Sequence, residues 1–455
     1  MDVRVWTHGP STGGIDRISP NDLTTLVTDR GAAPMNIAAA LLVEDGAHLD
    51  RAEVRAAVER GVASVPRLRR RLRPAPPGCG RPYWSEDERF DVSRHLTFQR
   101  VDGDTALWSA VAELACRRLP RDLPLWRACW ITGLGAERAA LVVVAHHVLA
   151  DGLGGLAVLG ALADGQVGGP PDDSGVAGSG GSRPSRRQLA VAAWRERVES
   201  ARALRARART ARAGVRDLGF GSGAPHPSLC PRTPFNRPTG PTRRITTIET
   251  PLEEVVAAGH RLGVTVNDLV LSAVARGLGD VARSRGADVD SLVVSVPYSG
   301  RSSAGVSHLG NETGVVPFRV PLAVPADATL RAVAAASREQ RTRPRAASAA
   351  PLGIAFRVLA RLGVFAWFVD HQRLVNTFVT NVRGPRHPWR FCGHEVSRVV
   401  PVAVTPGNTG VTFDVLSYAG TLGITLVADP DVVPDGRHLA SRVADELATL
   451  VHLAG

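Results

Sequence analysis

At 455 residues, with 44% hydrophobic and 22% charged residues, the chain suits two globular domains of roughly 150–200 residues each and is not composed like a disordered or fibrous protein. The formal charge of +12 is uneven, because Arg183 to Arg216 holds eleven arginines against two glutamates; a basic nucleic-acid surface spread over the whole chain is thereby excluded. Five cysteines, none in a CxxC pair, argue against a disulfide framework or a cysteine zinc site and for a reducing, cytoplasmic setting. The opening MDVRVWTHGPSTGG lacks the apolar stretch of a secretory signal, and no apolar run reaches the ~18 residues of a membrane span.

In chain order, MNIAAALLVED (35–45) reads as a strand and RAEVRAAVERGVASVPRLRRRL (51–72) as an amphipathic helix. ALVVVAHH (140–147) reads as a second strand. GQVGGPPDDSGVAGSGGSRPS (165–185) has almost nothing to bury and is a loop or linker. A basic helix follows, with Trp194, Val198, Ala201, Leu204, Ala208, Ala211, Val215 and Leu218 on a narrow stripe. GFGSGAPHPSLCPRTPFNRPTGP (219–241) breaks structure again. These signals divide the chain into an N-terminal half (1–165), a linker region (166–242) and a C-terminal half (243–455). In the last part VTVNDLVLSAVARGLGDVARSRG (264–286) is a helix with Asn267 or Asp268 available as N-cap. SLVVSVPYS, TGVVPFRVPL, LVNTFVTNV and TLGITLVAD are strands, and DGRHLASRVADELATLVHL closes as a helix. Leu352–Leu374 is apolar nearly all round, with Arg357 and Arg361 one turn apart. It fits a core helix, and it also fits a helix lying in a lipid interface with snorkelling arginines. Two α/β halves of comparable size result.

The stretch LVVVAHHVLADGLGG (141–155) carries the chemistry. Successive strand residues face opposite ways, so His146 and His147 cannot share one cleft, and a two-histidine metal site is not expected. One imidazole at a strand end can act as general base on a hydroxyl at neutral pH, with Asp151 bracing the turn that Gly152 permits. Two satisfied core histidines beside a helix-capping aspartate fit the spacing equally. Gly9–Gly13, GPSTG, matches GxSxG without the strand-turn-helix context of a nucleophile elbow. Gly152, Gly154 and Ala157 match GxGxxA, but too far beyond the strand for a dinucleotide loop.

His146, His147, Asp151 and Gly152 fill HHxxxDG, the signature of the superfamily of CoA-dependent acyltransferases and peptide condensation domains. Further blocks narrow the match: ISPNDLTTLVTDRGAAPMNIAAALLVE, PLWRACWITGL, TPFNRPTGPTRR, VNDLVLSAVARGL, LGNETG, TNVRGP and VLSYAGTLGITLVADPDVVPD. With these the chain resembles, over nearly its full length, the bacterial wax ester synthase/acyl-CoA:diacylglycerol acyltransferase family. It departs from that family's pattern at Asn36, where a histidine is usual, and at Thr380 and Arg383, where SNVPGP is usual.

The resemblance implies two chloramphenicol-acetyltransferase-like α/β domains with the active site in a channel between them. It implies that His147 is the general base, that Asp151 and His146 support the motif, and that backbone N–H groups near it or the Asn267 side chain stabilise the oxyanion. It implies acyl-CoA as a cosubstrate rather than a bound cofactor, no metal, and diacylglycerol or a long-chain alcohol as acceptor. The CoA phosphates call for arginines at the channel mouth, and the sequence singles none out. A cytoplasmic enzyme with such acceptors must approach the inner membrane or a lipid body, which the basic and apolar helices would serve. Acyl transfer to a specialised metabolite and a silent lipid-binding protein are the competing readings; the intact HHxxxDG argues against the second.

Overall fold

The computed structural model describes residues 15–150, 152–164, 183–202, 229–299, 313–322, 325–342, 349–404 and 407–453. Asp151, the GPSTG motif at 9–13, the LGN of LGNETG and most of the 166–228 region lie outside them.

The first half builds helix α1 (Pro20–Thr28), β1 (Asn36–Val43), α2 (Arg51–Ala63), β2 (Arg70–Arg73), β3 (Tyr83–Glu86), β4 (Leu96–Arg100), α3 (Gly103–Cys116), β5 (Trp126–Thr132), β6 (Ala139–His146) and α4 (Gly152–Leu162). The amphipathic pattern at 51–72 is helical only to Ala63; Pro66 opens a 3-10 turn, and the arginines beyond it pair as β2 with β3. After α5 (Arg186–Arg202) come β7 (Arg244–Pro251), α6 (Leu252–Leu262), α7 (Val266–Ser284), β8 (Ser291–Ser299), β9 (Thr313–Pro321), α8 (Ala326–Thr342), α9 (Ala349–Arg361), α10 (Phe365–His371), β10 (Thr377–Arg383), β11 (Trp389–Phe391), β12 (His394–Ala403), β13 (Val411–Tyr418), β14 (Thr421–Ala428) and α11 (Gly436–His452).

Two six-stranded sheets organise these elements. The first has the order β11-β12-β1-β6-β5-β4, the second β7-β14-β13-β10-β8-β9. In β1 and β6 nearly every residue is buried because both faces of the sheet are covered. Ala38, Ala40, Leu42, Ala140, Val142 and Val144 pack toward α3, whereas Ala39, Leu41, Leu141 and Val143 pack toward α2 and α4. In the second sheet Val411, Phe413 and Val415 face α7 and α11, and Leu416 and Tyr418 turn toward the first half.

The halves drawn along the chain are not separate in space. Strands β11 and β12, from the C-terminal half, extend the first sheet, with β12 pairing antiparallel to β1 from Ile37↔Ala403 onward. A linker helix also belongs to the first half: α5 buries Leu189 against Ile15, Cys79 and Tyr83, and Ala193 beside Gly80. Of the stripe through Trp194, the part from Leu204 onward lies outside the described residues, and Trp194 itself is 64% exposed. The 352–374 segment is likewise not one core helix. It breaks at Gly363, whose φ of 74° ends the helical run, and Val358, Leu362, Val364 and Trp367 are exposed.

Candidate active site

The end of β6 is pinned from both flanks. Asn36 of β1 stands opposite His146, and the His147 N–H donates to the Met35 carbonyl at 2.9 Å. On the other flank the His146 N–H donates to Leu125 O at 3.0 Å. Trp126, fully buried, donates from Nε1 to Leu68 O at 2.7 Å and stacks on His95. The PLW block thus fixes the strand that delivers the histidines.

Strand hydrogen bonding stops at His146, and His147 opens a turn. The alternation nevertheless carries through. His147 lies on the face of Val143 and Ala145, with which it lines a cleft; His146 lies on the opposite face and is 3% exposed. The Val148 N–H donates to His146 Nδ1 at 3.1 Å, so the hydrogen-bond pattern assigns the ring proton to Nε2, 3.3 Å from Asp29 Oδ2. With Leu149 N–H donating to His146 O at 2.8 Å, His146 clamps the turn on which His147 sits.

Sequence reasoning did not single out Asp29. This residue, at the end of α1, also accepts from Met35 N–H at 3.0 Å and pairs with Arg118 at 3.2 Å and Arg121 at 2.7 Å. Burial alone would raise its pKa. The His146 and Met35 hydrogen bonds and the Arg118 charge outweigh that and hold the carboxyl well below the usual carboxylate range. One carboxylate therefore anchors both the residue before Asn36 and the imidazole beside His147. Its only sequence signal is the Asp within TLVTDRG, with nothing local to name a partner some 117 positions on.

The cleft is a slot of about 130 Å³ at the seam of the two sheets. Ile37, Val143, Leu156 and Leu159 line one side, and Val382, Val399, Pro401 and Leu416 the other; among the described residues the polar ones of the wall are His147, Thr380 and Asp414. Helix α4 begins at Gly152 and gives its Gly155–Leu159 stretch to the lining.

Neither Asn267 nor Asp268, the two N-cap candidates of the sequence, is the N-cap of α7. Thr265 caps α7 and Asp268 returns the bond, a reciprocal capping box. Asn267 Oδ1 instead accepts from Asn381 Nδ2 at 3.1 Å. On β10 Asn381 points away from Thr380 and Val382, so Asn267 braces the cavity wall from behind and is not part of the lining. Asp151 lies outside the described residues.

Residues 18–270 match the family model described as the wax ester synthase/diacylglycerol acyltransferase catalytic domain, and 309–451 match its C-terminal domain. The chain belongs to the wax ester synthase/diacylglycerol acyltransferase family. It is 29% identical over 429 residues, 91% of each chain, to a Mycobacterium tuberculosis protein named "Probable diacyglycerol O-acyltransferase tgs1". A Mycobacterium bovis protein with a diacylglycerol O-acyltransferase name matches to the same extent. Among solved structures, the wax ester synthase/diacylglycerol acyltransferase from Marinobacter aquaeolei VT8 superposes with a TM-score of 0.64 at 18% identity, covering 97% of this chain and 100% of that one. A mutant starter condensation domain of rhizomide synthetase, in complex with C8-CoA and Leu-SNAC, gives 0.60 at 15% identity, covering 98% and 97%. The fold is therefore the chloramphenicol-acetyltransferase-like pair of α/β halves shared by these proteins, and this family member is an acyltransferase.

Proposed function

We propose that the enzyme transfers a long-chain acyl group from acyl-CoA to the free hydroxyl of diacylglycerol, with His147 as general base. The observation that carries this reading is the placement of His147 in an apolar slot at the seam of the sheets, on a turn clamped by His146, Met35 and Asp29. The His147 imidazole takes the acceptor's O–H proton as that oxygen attacks the thioester carbonyl carbon. The tetrahedral oxyanion collapses, the carbon–sulfur bond breaks, and the departing CoA thiolate takes the proton back from the imidazolium. Ester and free CoA thiol result, with no covalent acyl-enzyme.

Holding both reactants in the slot supplies much of the rate, up to about 7–11 kcal/mol in well-oriented cases. The base adds typically about 10²–10⁴-fold. Backbone N–H groups of the turn and the start of α4 are the oxyanion donors in this reading, and Asn267 acts through Asn381 on the wall. The family name and the relatives' names support acyl transfer to diacylglycerol. The C8-CoA held by the structurally similar condensation domain supports a CoA thioester as donor.

The test is esterification by purified protein of dioleoylglycerol and of hexadecanol with palmitoyl-CoA. Triacylglycerol formation with a roughly 10²–10⁴-fold lower kcat in a folded His147→Ala variant is expected; equal rates in the two proteins would sink the general-base assignment. Preference for hexadecanol would move the enzyme to wax ester synthesis.

Peripheral attachment to a lipid surface is part of the same proposal. No helix among the described residues is long and apolar enough to cross a membrane. Leu362, Val364 and Trp367 are exposed beside Arg357 and Arg361, and Trp194 is exposed on α5, the apolar-plus-basic combination that binds anionic interfaces. Sedimentation with anionic liposomes should fall several-fold in a Leu362→Ser/Trp367→Ser variant; unchanged sedimentation removes this surface from the proposal.

A further inference from the structure

Among the described residues that line the slot, one carboxyl, Asp414, is unused by the mechanism above. Asp414 is 4% exposed and faces the first half from β13. Its Oδ2 accepts from Ala403 N–H at 2.8 Å, which ties β13 to the end of β12. Its other oxygen has no protein partner among the described residues and opens onto the cavity. Thr380 stands directly opposite it in the parallel β10–β13 register and also lines the cavity, with its hydroxyl unpartnered among the described residues. Two hydrogen-bonding groups thus lie side by side in a wall whose other described residues, apart from His147, are valine, leucine, isoleucine, alanine, glycine and proline.

Their position relative to His147 follows from the sheet. Ala145, Ile37 and Ala403 form one row across β6, β1 and β12. Two strand spacings, about 10 Å, separate the ends of that row. His147 sits two residues beyond Ala145 on the same face, and Asp414 sits against Ala403. The patch is therefore at the far side of the slot from the base, several bonds along any substrate whose reacting oxygen touches His147.

A plain alkyl chain laid across this wall would strip water from a carboxyl and a hydroxyl without replacing the hydrogen bonds, which is unfavourable. A substrate bearing oxygen at that point satisfies both. Burial pushes the Asp414 carboxyl up to about 7, so near neutrality it presents a donor as well as an acceptor.

We propose that Thr380 and Asp414 form a specificity patch that recognises an oxygen function, an ester carbonyl or a hydroxyl, carried by a substrate several bonds from the reacting centre. The proposal rests on the acyl-transfer reading and deepens it: the slot discriminates oxygenated from plain alkyl substrates. The oxygen can belong to the acceptor or to the acyl chain, and matched substrate pairs separate the two. For the acceptor, ethylene glycol monopalmitate is compared with 1-octadecanol, using palmitoyl-CoA as donor. For the donor, 3-hydroxypalmitoyl-CoA is compared with palmitoyl-CoA, using one acceptor.

Wild-type enzyme should prefer the oxygenated member of one pair in kcat/KM. Asp414→Leu should reduce that preference roughly tenfold, Thr380→Val should reduce it by a smaller factor, and Asp414→Asn, which keeps a donor and an acceptor, should retain it. A shift confined to the first pair assigns the patch to the acceptor, and one confined to the second assigns it to the acyl chain. The proposal is overturned if wild type favours the alkyl member of both pairs. It is equally overturned if the ratios stay unchanged in a folded Asp414→Leu variant or, should that variant not fold, in Thr380→Val. Absence of esterification with every substrate removes the acyl-transfer reading itself, and this inference with it.

Discussion

Asp29 shows how a residue remote from the cleft can set its geometry. It accepts from Met35 N–H, whose carbonyl in turn receives the His147 N–H, and it faces the imidazole of His146. Its stabilising effect has a pH signature. The native carboxyl holds its proton less tightly than the unfolded one, so the contribution is fully present above the ordinary carboxylate pKa of about 4 and is lost as pH falls through the lower native value. Asp29→Asn should cost about 1–3 kcal/mol at pH 7 and flatten the acid side of the stability profile, measured by urea unfolding from pH 3 to 7. An unchanged profile would show that the charge on Asp29 stabilises nothing. Of the site residues, the two histidines were legible from strand alternation and motif together. Asp29 and Asp414 were not, because an aspartate's partner across 117 positions, or its exposure to a cavity made by two sheets, leaves no local trace.

At the scale of elements, apolar runs and alternation located β1, β6, β8, β9, β10 and β14, and helical periodicity located α7 and α11. What periodicity left open was whether an apolar face is buried or exposed. The stripe through Trp194 and the run from Leu352 were both real patterns, yet α5 packs through Leu189 and Ala193, and the α9–α10 segment leaves Trp367 and Leu362 in solvent. Periodicity records that a helix has an apolar face, not whether a neighbour covers it. The same limit hides close contacts such as Gly61, in the last turn of α2. A Cβ there would lie 2.7 Å from Leu162 Cα and 2.9 Å from Ala161 O, so the glycine lets α2 lie against α4, whose Leu156, Val158 and Leu159 line the slot. Gly61→Leu should destabilise by about 1–3 kcal/mol through overpacking and lower kcat/KM by tilting that wall. Denaturant unfolding and steady-state kinetics read the two effects, and a variant as stable and active as wild type would show that the helices separate freely.

For the whole molecule, two α/β halves were readable from composition and linker signals, but their interlocking was not, because a strand's sequence does not state which sheet it joins. Nothing in the sequence of His394–Ala403 names its sheet, and its destination on β1 follows from the path of the chain after β10. That crossing makes the slot: Val399, Pro401 and Ala403 of β12 form wall between β1 and β13. It also makes the halves interdependent. Without β12, the backbone of β1 from Ile37 to Val43 loses one whole ladder, and Leu41 and Val43 lose the cover of Phe391, Val396 and Val399 in their shared core. An exposed apolar edge of this kind is an aggregation template. Residues 1–242 expressed alone should therefore bind a hydrophobic dye, lack a cooperative thermal transition and aggregate, whereas co-expression with 243–455 should return a soluble complex with acyltransferase activity. A sharp, dye-free transition from the isolated first fragment would mean that its core closes without β12, and that the crossing strand serves the active-site slot alone.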